Sequence, residues 1–577
     1  MKIDWKKIWP ELAIVSIFII ASAIYFFPAL QGKVVYGGDY INGFSAVQEG
    51  WNYFQETGES SYWTNSQFSG MPAYQIGGYR FKATQILYPI YWFFHRSAQN
   101  VYFIMLFYLI AFYSLLRTFK IDKWLSLGGA FAISLSSYFF VIIAATHNAK
   151  CIAITWMTMA MVGFLLTMRH KYALGAILTM LFVPLGFYIH PQMAYYICML
   201  IGVLYFAEVY NHIKSKEWKQ LGIATLAFSV SFAIGLGIGA SGFFANQEYA
   251  KETMRGGHSD LTKVTDAKNK TEGLDLDYAT AWSYGKGETM TFLIPNYMGG
   301  ASGYNVGDKS VLYNELVKAR VPRSSAKQFC QSAPTYWGEK AFTSGPVYMG
   351  VIICFLFLLG LMIVSGPYKW ALLVATIFSI CLSWGHNMMW LTEFFFKYFP
   401  MYNKFRAVES ILIVAEITMP LLALLGVQQL VNKQENSKQN STYVLIAGGI
   451  TAFICLIFAL FGNSICSFTS SYDNGWKGQV GDEIYRMILD QRAAMMTADA
   501  WRSFIFVLLA TTLMYIYVKK PFKTLYLGLV LTALVIADMW PIDKRFCNDA
   551  NFVSVKDRDK AFKIQPWEEQ ILQDNDY

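Results

Sequence analysis

The chain has 577 residues, of which 55% are hydrophobic, 17% are aromatic and only 15% are charged. A soluble domain carries about 25% charged residues, so this composition excludes an ordinary soluble protein and favours a membrane protein. The formal net charge of +9 follows the short loops between apolar segments, so it does not indicate nucleic-acid binding and no nucleic-acid partner is expected.

Apolar blocks of roughly 18–24 residues recur along the chain, and each is long enough to cross about 30 Å of hydrocarbon as a helix. They predict an all-α polytopic membrane protein with about 13 transmembrane helices. The first block is too long for a cleaved signal peptide, and no small-residue cleavage site follows it. The blocks are 8–28, 100–118, 124–145, 151–168, 172–189, 193–210, 220–243, 346–365, 369–385, 408–431, 441–463, 501–518 and 523–540.

The basic residues of the short loops predict the orientation of these helices, because Lys and Arg concentrate in cytoplasmic loops. If the N-terminus is cytoplasmic, every short inner segment is basic, whereas the outer turns near 146–150 and 190–192 are nearly free of basic residues. An odd number of spans then places the C-terminus outside. The inner basic residues are Lys2, Lys6, Lys7, Arg117, Lys120, Lys123, Arg169, Lys171, Lys214, Lys216, Lys219, Lys369, Lys433, Lys438, Lys519, Lys520 and Lys523.

Residues 1–540 are predicted to form one transmembrane module. Its outer loops are 29–99, 244–345 and 465–500, and the first two are the large ones. Only 244–345 has enough polar chain for a small folded insert. Residues 541–577 form an extracytoplasmic segment with the character of the start of a further domain. The aromatic amphipathic stretch 86–94 is predicted to form a helix that lies in the interface. The apolar stretch 390–399 is too short to cross and is predicted to re-enter the membrane or to lie in the interface.

The first outer loop contains the candidate catalytic residue, Asp39, which follows Gly37 and Gly38. Glycine lets the backbone approach a ligand closely. A carboxylate beside it can act as a general base towards an acceptor hydroxyl, or can bind a metal ion. An ordinary Gly-Asp turn is the alternative interpretation.

Polar residues crowd two short outer turns, with His147, Asn148 and Lys150 in one and His190 in the other. Polar groups at this depth are costly unless they face a cavity or find partners. This cluster is therefore a candidate binding site for the phosphate of a lipid substrate. Snorkelling of Lys150 to the interface is the alternative.

The second large loop contains Asp275-Leu276-Asp277, which has the DxD form that several glycosyltransferases use to hold a metal ion. So short a motif also arises by chance. A divalent metal is left open as a cofactor, and no metal ligand is assigned. No Walker motif, HExxH or GxSxG occurs, so ATP-driven transport and serine or zinc hydrolysis have no support.

Three charged residues enter the tenth block, and the spacing of Arg406, Glu409 and Glu416 predicts that they share one helical face. Glu416 lies well inside the apolar run, where a charge is least expected. We predict that it is protonated, or paired with Arg406 or with a residue on another span. A structural polar contact is the alternative to a role in substrate binding.

Several short stretches, in order along positions 37–407, resemble the YfhO-type family of bacterial membrane proteins. Each stretch alone is weak, whereas the ordered set is fairly specific. The stretches are Gly37-Gly38-Asp39, Trp63, Phe68-Ser69-Gly70-Met71-Pro72, Trp282-Ser283, Glu288, Ile294-Pro295-Asn296-Tyr297-Met298-Gly299-Gly300, Tyr336-Trp337-Gly338, Gly345-Pro346-Val347-Tyr348 and Phe405-Arg406-Ala407.

The resemblance implies the C-type glycosyltransferase (GT-C) fold in a bacterial cytoplasmic membrane. It also implies transfer of a sugar from a polyprenyl-phosphate carrier to an extracytoplasmic glycopolymer. Asp39 falls where the catalytic carboxylate of such enzymes is expected, and Trp282 and Glu288 join the candidates for substrate binding. Two features depart from the family. His147 and Lys150 stand where some C-type enzymes place acidic metal ligands, and larger relatives continue into an external C-terminal domain.

The sequence thus predicts a membrane glycosyltransferase whose partners are a lipid-linked sugar donor, an envelope glycan or glycolipid acceptor and the lipid bilayer. Lys150, Arg406 or Lys404 would hold the phosphate, and Asp39 would orient or deprotonate the acceptor. One alternative is a lipid or glycan transporter (a flippase) that uses Glu416 for proton coupling. Another is a non-catalytic scaffold for envelope assembly. The lack of a recognisable internal repeat in the sequence weighs against the transporter.

Overall fold

The computed structural model describes residues 5–76, 100–256, 273–432 and 437–574, together with positions 89 and 93. The predicted interfacial stretch 86–94 lies outside the described residues, apart from those two positions. The helices are α1 (Trp5–Tyr25), α2 (Phe27–Leu30), α3 (Gly38–Thr57), α4 (Val101–Thr118), α5 (Lys123–Ser134), α6 (Ser137–Ala144), α7 (Asn148–Met168), α8 (Tyr172–Ile189), α9 (Pro191–Lys214), α10 (Trp218–Ile238), α11 (Ala240–Ala250), α12 (Leu276–Thr280), α13 (Val311–Lys318), α14 (Arg323–Gln331), α15 (Val351–Ile363), α16 (Pro367–Ser383), α17 (Met389–Tyr398), α18 (Ile413–Asn432), α19 (Ser437–Ile465), α20 (Asn474–Lys519), α21 (Thr524–Phe546), α22 (Val555–Asp559) and α23 (Pro566–Leu572).

The prediction of an all-α, multi-pass membrane protein is confirmed. Among the described residues, ten helices are long and apolar enough to cross a membrane, or up to twelve if each of two bent pairs is one span. The first pair, α5 and α6, is bent by 44°. The second joins α16 to the segment 385–398 with a bend of 114°, as expected for the short stretch 390–399 that was predicted not to cross.

The structure gives fewer full-length spans than the thirteen predicted, because the block at 346–365 forms a helix of only 13 residues, α15. The chain nevertheless passes between opposite ends of the bundle in this region. Before α15, Gly345 packs against Val141 in the last turns of α6. Beyond α15, the Tyr368 hydroxyl donates to Glu208 near the other end of α9, at 2.5 Å.

The residues between Gly345 and α15 are non-helical and buried, so their backbone needs partners within the protein. Ser137 supplies them, since its hydroxyl donates to the Pro346 carbonyl at 2.7 Å and accepts the Tyr348 N–H at 2.8 Å. Non-helical backbone at membrane depth is tolerated only where protein groups satisfy it in this way. This passage therefore combines a non-helical half with a helical half.

The two ends of the bundle are defined by α7, whose 21 residues span about 31 Å. His147 precedes α7 and contacts Asp39, whereas His170 follows it. We call these ends the Asp39 face and the His170 face. The turn at His190, between α8 and α9, returns to the Asp39 face. The turn at Glu217, between α9 and α10, returns to the His170 face. The assignment of the His170 face to the cytoplasm remains a prediction.

The helices differ strongly in burial. The apolar window of α18 is 94% buried and that of α7 is 89% buried, so these two helices form the centre of the bundle. The windows of α1 and α10 are only 22% and 17% buried, which leaves their apolar side chains for lipid. Small residues bring α7 and α8 together, because a Cβ atom on Gly163 would lie 2.7 Å from Thr179 Oγ1.

The second large loop contains a small folded insert with its own apolar core. Leu312 and Leu316 of α13 pack with Ala326 and Cys330 of α14. Ile488, from the N-terminal half of α20, completes this core. α20 has 46 residues, more than twice the number needed to cross a bilayer, and Gly481 kinks it. The segment 465–500, which was predicted to be an outer loop, is thus largely the N-terminal half of this helix.

The C-terminal segment folds back onto the first outer loop. Strand β1 (Val34–Val35) pairs antiparallel with β4 (Phe552–Val553), while β2 (Trp63–Thr64) pairs with β3 (Met71–Pro72) inside the first loop. The Arg558 guanidinium also donates to the Tyr40 hydroxyl at 3.2 Å. These contacts place the C-terminal segment beside Asp39.

Candidate active site

A close contact between Gly37 and Thr146 holds the first outer loop on the bundle. Gly37 is the N-cap of α3, and a Cβ atom on it would lie 3.0 Å from Thr146 Cγ2. Thr146 has a φ of 63°, which turns the chain sharply between α6 and α7. A larger residue at position 37 would push the loop away from this turn. The contact therefore sets the position of Asp39 in the first turn of α3.

Asp39 contacts His147, which is 108 residues away in sequence, with 2.5 Å between Asp39 Oδ2 and His147 Nε2. The two side chains are 62% and 40% exposed. The pKa of His147 is lowered, first by burial and then by the charge of Lys150, although Asp39 opposes the shift. His147 is therefore neutral near pH 7, and its Nε2–H donates to the carboxylate. Among the described residues, Asp39 Oδ1 has no hydrogen-bond partner.

Lys150 and Asn148 lie in the first turn of α7, immediately after His147. Within the described part of the chain, the Lys150 ammonium group has no ion-pair partner, although Glu409, Arg406 and Asp39 are near enough to act on its charge. The side-chain oxygen of Asn148 is buried and accepts no hydrogen bond from the described residues. An unsatisfied buried acceptor is costly, so a ligand that donates a hydrogen bond here would be stabilised.

His190 begins α9 at the same face. Its Nδ1 accepts the Met193 N–H at 3.4 Å, so the proton of the neutral ring is on Nε2. Burial, followed by the positive charge of Lys150, lowers the pKa of His190 to about 4. The ring is therefore neutral and adds a hydrogen-bond donor beside Lys150 without adding a charge.

Arg406 reaches this face from the segment before α18. Its guanidinium donates to the Tyr278 hydroxyl at 2.6 Å, and its carbonyl accepts from the Gln192 side chain at 2.7 Å. The next residue, Ala407, has a φ of 55°, and α18 begins only at Ile413. The predicted single helical face of Arg406, Glu409 and Glu416 is therefore absent, because a left-handed residue and a 3-10 turn separate them.

Lys404 and Arg255 join the second large loop to this segment. The Lys404 ammonium group donates to the Arg255 carbonyl at 2.8 Å, and the Arg255 guanidinium donates to the Lys404 carbonyl. Burial and then the charge of Arg406 lower the pKa of Arg255. Two arginines are thus held near each other, together with Lys150, in a region of excess positive charge.

Glu288 and Glu409 lie in a separate, buried cluster around Lys340. The Lys340 ammonium group is 3.1 Å from Glu409 Oε2 and 3.9 Å from Glu288 Oε1, and its side chain is 3% exposed. The Glu288 carboxylate accepts the Gly285 N–H and the Tyr336 hydroxyl, each at 2.8 Å. Burial lowers the pKa of Lys340, but the two glutamates outweigh it and the net shift is upward.

The remaining predicted site residues, Trp282 and Glu416, are not among the residues that surround Asp39 and Lys150. The Trp282 carbonyl accepts the Glu409 N–H at 3.4 Å, so Trp282 supports the Lys340 cluster. Glu416 is 1% exposed in the first turn of α18, seven residues beyond Glu409. Among the described residues, neither of its carboxylate oxygens has a hydrogen bond of ordinary geometry. The predicted pairing of Glu416 with Arg406 is wrong, because Arg406 bonds Tyr278 instead.

Asp275 of the DxD sequence caps α12, since its carboxylate accepts the Tyr278 N–H at 3.0 Å. Capping accounts for an aspartate at this position without a metal ion. In the part of the chain that the structure describes, the one group of three His, Cys, Asp or Glu side chains with metal-ligand spacing lies at the His170 face.

The structure thus brings together seven of the predicted residues at the Asp39 face, which are Asp39, His147, Asn148, Lys150, His190, Lys404 and Arg406. It adds Arg255 and Tyr278 at this face, and Lys340 in the separate cluster with Glu288 and Glu409. The sequence did not predict any of these three residues. No protein-family model, no curated protein and no solved structure matches this chain.

Proposed function

We propose that the protein is a membrane glycosyltransferase that transfers a sugar from a polyprenyl-phosphate carrier to a cell-envelope glycan or glycolipid, on the outer side of a bacterial cytoplasmic membrane. The observation that carries the proposal is the solvent-open Asp39–His147 pair beside Lys150, an ammonium group without an ion-pair partner among the described residues. A carboxylate and a cation at the same face match the two needs of sugar transfer, which are a base for the acceptor and a partner for the phosphate.

Asp39 acts as the general base in this proposal. His147 holds one carboxylate oxygen, which leaves Oδ1 to accept the proton of an acceptor hydroxyl. The acceptor oxygen attacks the anomeric carbon of the sugar as the bond from that carbon to the phosphate oxygen breaks. The electron pair of the broken bond leaves with the polyprenyl phosphate, and the acceptor proton passes to Asp39.

Lys150 and Arg406 stabilise the charge that develops on the leaving phosphate. The phosphate is already a good leaving group, so it needs positive charge rather than a proton donor. Lys150 has no competing ion pair among the described residues, whereas Lys404 is held on the Arg255 carbonyl. We therefore assign the main phosphate contact to Lys150, with Arg406 as the second cation.

The test is sugar transfer from radiolabelled polyprenyl-phosphate sugars by the purified protein in lipid nanodiscs. Asp39→Asn removes the base while keeping the shape, and transfer should fall by about 100-fold or more. Glu56→Gln is the matched control, because Glu56 is an exposed carboxylate near the end of the same helix, α3. The control should keep full activity. Full activity in Asp39→Asn would refute the base assignment.

A transporter is the second candidate, and Glu416 favours it. A carboxyl buried at the centre of a bundle without a cationic partner is held neutral, and a neutral carboxyl in this position is a feature of proton-coupled carriers. Substrate movement that depends on a pH gradient and is lost in Glu416→Gln, with no covalent product, would select the transporter. Transfer that survives Glu416→Gln would select the enzyme.

A further inference from the structure

Three potential metal ligands meet at the His170 face, about 31 Å from the candidate active site along α7. His170 lies in the turn between α7 and α8, His212 in the last turn of α9, and Glu217 immediately before α10. Their ligand atoms all lie within 4.8 Å of one another, and His170 Nε2 is 3.7 Å from Glu217 Oε2. Two turns that are distant in sequence therefore present two imidazoles and one carboxylate to the same point.

The environment of His212 leaves one ring nitrogen ready for a metal ion. Its Nδ1 is 2.9 Å from the Glu208 carbonyl oxygen, which can only accept, so Nδ1 carries the proton. His212 Nε2 then has a free lone pair. The residue is 5% exposed, and Nε2 is buried without a hydrogen-bond partner in the part of the chain that the structure describes. A backbone carbonyl that fixes the tautomer in this way is the usual outer partner of a metal-bound histidine.

His170 is oriented in a similar manner. Its Nδ1 lies 3.0 Å from the Tyr172 hydroxyl, which leaves Nε2 directed towards Glu217. The backbone of His170 has a φ of 63°, a conformation that non-glycine residues adopt only at a cost. Lys216, just before Glu217, has a φ of 60°. Both turns thus hold strained backbone where the ligands converge.

We propose that His170, His212 and Glu217 bind a zinc ion that links the α7–α8 turn to the α9–α10 turn. Two imidazoles and one carboxylate, with a fourth position left for water, form a common set of zinc ligands. Ligands of a tetrahedral zinc ion are about 3.4 Å apart, so side-chain shifts of about 1 Å close the site. The His170 and Glu217 side chains are 41% and 43% exposed, which leaves them room for these shifts.

The fourth coordination position faces a cavity of about 790 Å³ at the same end of the bundle, because all three ligands line this cavity. Arg117, Lys120 and Arg169 line it as well, so an anionic ligand of the metal would also find positive charge there. The Glu208 carboxylate also lines the cavity, and Tyr368 and Arg169 both contact its Oε1 atom.

The experiment uses the full-length protein, purified with a tag that contains no histidine and freed of metal with a chelator. We expect the wild type to retain one equivalent of zinc after incubation with ZnCl2 and desalting. With CoCl2 it should show the visible absorption bands of tetrahedral cobalt. His212→Ala should lower the zinc affinity at least about tenfold, as even the loss of an outer partner does.

Two further variants keep the test decisive if His212→Ala does not fold. Glu217→Gln changes an exposed side chain and should also weaken zinc binding. His386→Ala is the matched control, because His386 lies at the far end of α16, where its Nδ1 contacts the Thr280 carbonyl. The control should bind zinc as the wild type does. Failure of the wild type to bind zinc, or equal binding by wild type and Glu217→Gln, would overturn the site.

Discussion

Two groups of charged residues, each assembled from distant segments, differ in how completely their charges are paired. In the first, Arg492 of α20 is 0% exposed, and its two terminal nitrogens make five hydrogen bonds of 2.7–3.1 Å. Two go to the Asp473 carboxylate and three go to backbone carbonyls. The accepting carbonyls belong to Phe468, Pro334 and Tyr336.

The second group, around Asp39, leaves charge unpaired. Lys150 has no ion-pair partner among the described residues, and Asp39 has one neutral partner, His147, with both side chains open to solvent. A buried charge that makes five hydrogen bonds holds loops together, whereas an unpaired charge is available to a ligand. The degree of charge pairing thus separates groups that maintain the fold from groups that are candidates for chemistry. Substitutions in both groups test this distinction.

The largest effect is expected from removing the buried charge. Arg492→Ala leaves Asp473 and three carbonyls without their donor, and should lower the free energy of unfolding by about 3–5 kcal/mol. Thermal unfolding of the detergent-solubilised protein measures the loss. Arg486→Ala is the control, because Arg486 is exposed on the same helix, and its effect should stay within about 0.5 kcal/mol. Equal stability of the two variants would show that the Arg492 bonds do not hold the insert.

The second effect concerns pH and His190. Burial lowers the pKa of His190 to about 4 in the folded protein. In the unfolded chain the same imidazole is protonated near pH 6.5. His190 thus contributes its full stability above pH 6.5, and up to about 3 kcal/mol is lost as the pH falls from 6.5 to 4. His190→Asn keeps a helix cap but cannot titrate, so its melting temperature should fall less steeply between pH 7 and pH 4.5. Parallel curves for the two proteins would contradict the burial of a neutral ring.

The third effect tests the unpaired cation. If Lys150 contacts the phosphate, Lys150→Gln should weaken the binding of a short-chain polyprenyl phosphate by about tenfold to about hundredfold. Stability should not change, because no ion pair of the described residues is lost. Lys33→Gln, an exposed lysine of the first loop, is the control and should bind normally. Unchanged affinity in Lys150→Gln would mean that Arg406, and not Lys150, makes the main contact with the phosphate.

The sequence was sufficient for the class of protein and for the approximate positions of the helices, because hydropathy depends on composition within one segment. It also placed Asp39, His147 and His190 in turns that lie at one face, since alternate turns of a serial bundle return to the same face. It did not show that Asp39 touches His147. That contact depends on Gly37 meeting Thr146, a tertiary approach that leaves no periodic signal.

Other features could not be predicted from the sequence because each depends on the fold around it or lacks a distinctive local pattern. Lys340 lies in a polar loop, where a lysine is ordinarily exposed, and only the fold encloses it between Glu288 and Glu409. Hydropathy predicts a full helix for the α15 passage, because a non-helical apolar segment and an apolar helix have the same hydropathy. The zinc-site candidates went unnoticed because their residues, two in one turn region and one in another, show no local motif.

The smallest effect distinguishes a helix cap from a metal ligand at Asp275. Asn accepts a capping hydrogen bond as well as Asp does, so Asp275→Asn should change stability by less than about 0.5 kcal/mol, whereas Asp275→Ala should cost about 1 kcal/mol. A metal ligand behaves differently, because loss of the charge in Asp275→Asn would weaken the binding of Mg²⁺ or Mn²⁺. Sugar transfer measured with and without these ions decides the matter. If Asp275→Asn abolishes metal-stimulated transfer, the DxD sequence belongs with the unpaired charges of the Asp39 group. If transfer is unchanged, the aspartate belongs with the paired charges that maintain the fold.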